Sequence, residues 1–90
     1  MSNKKRTRLE VIHDILEVLR NGRNVKITHL IYKANLSSNT IKLYLNDLLK
    51  NSLIEEVVVE DKKFFRIREK GYEFLEEFGK IKVFAESYGL

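Results

Sequence analysis

The sequence predicts an α+β domain, mainly α, in the order helix, short strand, helix, helix, strand, strand, helix. Three observations carry that expectation. Apolar residues recur every three or four positions through residues 7–20, and those of 36–54 fall at spacings a helix can place on one side, the pattern of helices with one buried face. Residues 53–59, LIEEVVV, and 63–67, KFFRI, are β-branched and aromatic runs with a short charged connection between them, the pattern of a tight hairpin. From about Glu69 a last helical stretch carries apolar residues at heptad-like spacing.

Each element has its own local signal. Helix 1 is expected from about Thr7 to Arg20, with Leu9, Ile12, Leu16 and Leu19 on its buried face, Ile15 and Val18 widening the stripe, and Asn21-Gly22 supplying a left-handed C-cap. Residues 23–27 alternate and form a first short strand. Thr28 is expected to cap helix 2, about His29 to Ala34, with Leu30 and Ile31 inward. Asn35 takes the left-handed position of the turn, which glycine or asparagine tolerates best. Ser37 caps helix 3, about Ser38 to Lys50. Its core stripe is Leu36, Ile41, Leu45, Leu48 and Leu53, and the chain turns at Asn51-Ser52. In the second hairpin strand Phe65 and Ile67 share one face. Helix 4 runs to about Ser87. This order is that of a winged helix-turn-helix with an added C-terminal helix. Residues 1–68 form the first unit, with a basic arm, and 69–90 a dimerisation helix.

Composition narrows the functional classes. A chain of 90 residues makes one domain and buries roughly 60–65% of its unfolded surface, so oligomerisation is a common source of added stability. There is no cysteine, which excludes disulfides and thiolate metal sites. No apolar run approaches the ~20 residues of a membrane span. The opening MSNKKRTRLE is basic but leads into an amphipathic pattern, not an apolar signal core. The expected location is cytoplasmic and nucleoid-associated. The net charge of +4 is unevenly placed. Lys4, Lys5, Arg6 and Arg8 make the first eight residues basic, and Arg23, Lys26, Lys33, Lys42 and Lys50 face only Asp47 through residue 54. A polyanion would meet those two regions first.

The outward side of helix 3 carries Ser38, Asn39, Thr40, Lys42, Leu43 and Asn46. Apart from Leu43 these are small, amide or cationic side chains, the chemistry that reads base edges and phosphates. Tyr44 lies beside the core stripe and is expected to pack, and Leu43 is assigned mainly to packing with it. Lys62, Lys63 and Arg66 in the hairpin are candidates for phosphate contact, and equally for protecting an exposed sheet edge. Lys4, Lys5 and Arg6 are candidates for a backbone-binding arm. On helix 4, Phe74, Phe78, Ile81, Ala85 and Tyr88 follow a 4-3-4-3 spacing that predicts a homodimer seam, while Tyr72, Leu75 and Phe84 lie off it and are free to pack on the body. His13 and His29 stand far apart with no cysteine or second histidine nearby. No metal site, small-molecule site or catalytic constellation is legible.

RTRLEVIHDILEVL, ANLSSNTIKLYLNDLLKNSLIE and FFRIREKGYEFLEEF together cover most of the chain. Through them it resembles the archaeal winged helix-turn-helix DNA-binding proteins, in particular the Sulfolobus chromatin-type group with a C-terminal dimerisation helix. The resemblance implies duplex DNA as partner, helix 3 in the major groove and dimerisation through the last helix. Three positions depart from the family's habit. Ser52 stands where glycine is frequent, with Asn51 available for the left-handed position. Arg68 replaces a capping hydroxyl, and Leu43 replaces a polar or basic residue. The leading expectation is a dimeric DNA-binding transcriptional regulator. The alternatives are a nucleoid-architectural protein of low sequence selectivity and a winged-helix module for protein–protein contact.

Overall fold

The computed structural model describes residues 6–90. Its elements are α1 (Arg8–Asn21), α2 (Ile27–Ala34), α3 (Ser38–Lys50), β1 (Ile54–Val59), β2 (Lys62–Ile67) and α4 (Glu69–Ser87). This is the mainly helical winged helix expected, with the C-terminal helix present.

Helix α1 starts where the sequence T-x-x-E provides a reciprocal cap. The Glu10 amide donates to Thr7 Oγ1 (3.1 Å), and the Thr7 amide donates to Glu10 Oε1 (2.8 Å). Its buried face is Val11, Ile12, Ile15, Leu16 and Leu19. Leu9, expected inside, is 57% exposed, because the buried arc starts two residues later, at Val11. The expected left-handed cap at Asn21-Gly22 is absent: Gly22 is extended, with φ −105° and ψ 178°. Glycine serves there by making room, since a Cβ would lie 2.7 Å from Val25 Cγ2.

The first short strand reduces to a single residue. Val25 exchanges both backbone hydrogen bonds with Phe65, at 3.0 and 2.8 Å, and pairs with no other residue. Helix α2 begins at Ile27, not after Thr28. Its N-cap is Lys26, with no side-chain cap; the Lys26 carbonyl accepts from His29 and Leu30. Asn35 adopts the left-handed conformation (φ 56°, ψ 52°), and Ser37 Oγ accepts from the Thr40 amide at 3.1 Å to start α3. At the other end of α3, Ser52 itself takes the left-handed position (φ 63°). The Leu53 amide donates to the Leu48 carbonyl and the Ser52 amide to that of Leu49, the paired bonds of a Schellman stop. Asn51, the expected left-handed residue, stays at φ −96°.

Strands β1 and β2 pair antiparallel from Ile54↔Ile67 to Val59↔Lys62. The turn is two residues, Glu60 and Asp61, both at positive φ, the geometry that matches strand twist in a tight hairpin. Phe65 and Ile67 face inward. The core is one cluster, with Ile15, Leu16, Leu19, Leu30, Ile41 and Ile54 fully buried at its centre. Leu75 of α4 belongs to the same cluster, and α4 packs along α1. The start of the last helix is therefore part of the body. Beyond Phe78 every residue except half-buried Ala85 is exposed. Tyr72 and Phe84, both expected to be free to pack on the body, are 49% and 64% exposed, and Phe84 meets Tyr88 instead in a tilted ring pair, centroids 4.9 Å apart.

Candidate nucleic-acid interface

Helix α3 is held from three sides. Ile41, Leu45 and Leu48 anchor it in the core, the Ser37 cap fixes its start, and Leu53 ties its end to the hairpin. At about 100° per residue, the side opposite that anchor carries Asn39, Leu43, Asn46 and Lys50 within a narrow arc, with Lys42 beside them. All five are exposed. Ser38 is exposed at the helix start, while Thr40 is half-buried and accepts from the Ser37 hydroxyl at 2.9 Å. Leu43 packs against nothing in the protomer and is 68% exposed. Its outward position is as expected, while the packing role assigned to it with Tyr44 gives way to its helical phase, which points it directly away from the core.

The only carboxylate on α3 is neutralised. Arg8 of α1 donates to Asp47 Oδ2 at 2.6 Å and lies 5.3 Å from the centre of the half-buried Tyr44 ring. The hydrogen bond to Asp47 raises the Arg8 guanidinium above its ordinary value, so this pair keeps its cation throughout the working pH range. Lys42 and Lys50 have no ion-pair partner among the described residues. Lys42 and Asn46 border a groove whose far wall is Lys63 and Glu56 of the hairpin. One concave strip thus brings together α3 and the wing.

The wing is less free than its composition suggests. Lys63 pairs with Glu56 at 3.1 Å, and Arg66 pairs with Glu55 at 3.5 Å and donates twice to Asn24 Oδ1. Lys62 at the tip has no such partner among the described residues. Lys4 and Lys5 lie outside the described residues. Arg6 is turned inward: it pairs with Asp14 at 2.7 Å and donates to the Ala34 and Asn35 carbonyls at 2.7 and 3.4 Å. It joins α1 to the C-terminal end of α2, where a cation also meets the negative end of the helix dipole. Arg6→Ala is expected to cost about 1–2 kcal/mol and lower Tm by several degrees, while leaving duplex affinity within about twofold; a thermal melt and a binding titration check both halves.

The seam expected on α4 divides in two. Phe74 and Phe78 lie half-buried on their own protomer, and Phe78 stacks on His13 at 4.4 Å. Ile81 is 67% exposed, and with Ala85 and Leu9 it lines an apolar groove between α1 and α4. Tyr88 follows the helix as its exposed C-cap. Lys50, the outward Leu43 and the groove residue Leu9 were not singled out as functional from sequence. Helical phase alone places Lys50 on the Asn39–Leu43–Asn46 stripe, so that signal was available.

The fold is a winged helix whose α3 turns a polar and cationic face outward. The chain belongs to the winged helix-turn-helix family, whose model matches residues 5–86. It is 33% identical over 67 residues to an uncharacterized protein of Methanocaldococcus jannaschii, an alignment covering 74% of this chain and 64% of that relative's length. It is similar to Sso10a-2, a DNA-binding protein from Sulfolobus solfataricus, with a TM-score of 0.76 and 30% identity over 93% of this chain and 90% of that one. A MarR family protein from Bacillus stearothermophilus shares the fold at a TM-score of 0.74 and 22% identity, covering 98% of this chain and 61% of that one. The resemblance to archaeal winged helix-turn-helix proteins is borne out. No helix among the described residues is long and apolar enough to cross a membrane.

Proposed function

We propose that the protein is a dimeric DNA-binding transcriptional regulator that places α3 in the major groove. The observation that carries this reading is the outer stripe of α3. It offers two amides, a leucine and two cations, with its single carboxylate occupied by Arg8. Lys62 and the Lys63 side of the α3–wing groove flank the same strip and are suited to phosphate. Lys4 and Lys5 add two cations to the sequence just before Arg6. The similarity to a DNA-binding protein from Sulfolobus supports the partner.

The dimer reading rests on the exposed apolar surface of α4 and α1. Ile81, Val83, Phe84 and Tyr88 are each 64–69% exposed, a concentration that a monomer seldom leaves in water. Residues 69–90 then serve as body packing at their start and as dimer contact at their end. Ile81→Glu is expected to leave the protomer folded and shift it to a monomer in sedimentation velocity. Affinity for a duplex with two half-sites should fall at least tenfold, because the second contact is no longer tethered.

The test is selection from a pool of random duplexes followed by sequencing of the retained fragments. The regulator reading expects two-fold related half-sites about 34 Å apart. Retention without enrichment would instead mark an architectural DNA-binding protein, with steep salt dependence and a small specificity ratio. No retention at low salt would leave a module for protein contacts.

A further inference from the structure

Leu43 is the one large apolar side chain on α3 that the fold leaves exposed. Scattered surface leucines are ordinary, but this one has a defined setting. It stands diametrically opposite the core anchor Ile41, Leu45 and Leu48. Asn39 lies one turn before it and Asn46 one turn after it on the same strip. A methyl-bearing tip between two primary amides is a poor match for water and for phosphate. It is a good match for one arrangement in the major groove. Adenine presents N7 and N6, which an asparagine side chain engages with both its oxygen and its nitrogen; thymine presents O4 and a C5-methyl group, which only an apolar side chain favours. Guanine is read bidentately by arginine or lysine; the strip carries no arginine, and its two lysines stand beside Leu43 and the asparagines (Lys42) and at the far end of the helix (Lys50).

The geometry points to a specificity role: the recognition helix reads A·T pairs, with Leu43 resting on a thymine methyl and Asn39 and Asn46 engaging adenines on either side. This deepens the DNA-binding reading proposed above and rests on it. Lys42 beside the strip and Lys50 at its C-terminal end supply sequence-independent attraction, so that affinity and selectivity fall to different residues. Leu43 is then a positive recognition element at the position where related proteins place a polar one.

The test removes only the methyl group. Wild type and Leu43→Ala are titrated by fluorescence anisotropy, at one fixed salt concentration, against poly(dA-dT), poly(dA-dU) and poly(dG-dC) duplexes. Wild type is expected to bind the thymine duplex about fourfold tighter than the uracil duplex, the value of one buried methyl, and both tighter than poly(dG-dC). In Leu43→Ala the thymine–uracil difference should vanish. Leu43 is exposed and unpacked, so the substitution leaves the fold intact. Equal affinity of wild type for thymine and uracil duplexes, or a difference that survives in Leu43→Ala, overturns the assignment. Failure to bind any of the three duplexes at low salt overturns the DNA-binding reading itself, a distinguishable result.

Discussion

Gly71→Ala is expected to destabilise the protein by about 3 kcal/mol and to lower Tm by more than about 10 °C. Gly71 is buried in the first turn of α4, directly under the wing. A Cβ there would lie 2.5 Å from the Leu53 carbonyl oxygen and 2.6 Å from Ile67 Cγ1. The oxygen is backbone, and it already accepts from the Arg68 amide at 2.9 Å, so it has nowhere to move. The strain falls on the junction where α3, the hairpin and α4 meet. Gly79 in the same helix is the control. Its Cβ would meet nothing within 4 Å, so Gly79→Ala should gain up to about 1 kcal/mol of helix propensity. Thermal and urea melts of the two variants should move in opposite directions. A Gly71→Ala protein as stable as wild type would mean that α4 does not enter the body at this angle.

The second large effect is on binding. Lys42→Glu combined with Lys50→Glu is expected to reduce duplex affinity at least a hundredfold at low salt and to flatten the slope of log affinity against log salt by about two per bound protomer, one for each lost phosphate contact. Both side chains are exposed and have no ion-pair partner among the described residues, so circular dichroism and Tm should be nearly unchanged. Neutralising the wing should do less. Lys63 and Arg66 are already engaged by Glu56 and Glu55, and freeing them for phosphate leaves those carboxylates behind. Lys63→Ala should therefore cost under tenfold. If the wing substitution proves the more damaging, the phosphate path runs along the hairpin and not beside α3.

Much of this architecture was legible in the sequence, and the misses share a cause. Elements whose signals are local were placed well: Ser37 as cap, Asn35 as the left-handed turn residue, the span of α3, and the Phe65–Ile67 face. The capping box Thr7–Glu10 was equally legible as T-x-x-E. The misses depend on what lies across from a residue. Gly22 does end α1, but in an extended conformation, and the need for glycine comes from the side chain of Val25 across from it. Residues 23–27 looked like a strand, but only Val25 finds an edge to pair with. Leu9 fits a buried stripe by spacing, and Tyr72 and Phe84 were free to pack on the body, yet α1 and α4 are longer than the small core they cover. Arg6 illustrates the same limit for the site. Its sequence context is a basic arm, and only the tertiary approach of Asp14 and the end of α2 shows that its charge is already used. Leu43 is the reverse case, an apolar residue on the outward side that its type assigns to packing and that the fold leaves 68% exposed.

The central claim is that the outer strip of α3, with the adjoining wing, is the surface that meets DNA. Backbone amide shifts of the ¹⁵N-labelled protein, followed during titration with a duplex recovered by selection, test it most directly. The expected result is that the largest shifts fall within residues 38–50 and at Lys62 and Lys63, while α1 residues 11–19 stay nearly still. Shifts concentrated on Leu9, Ile81 and their neighbours, with α3 silent, would contradict it.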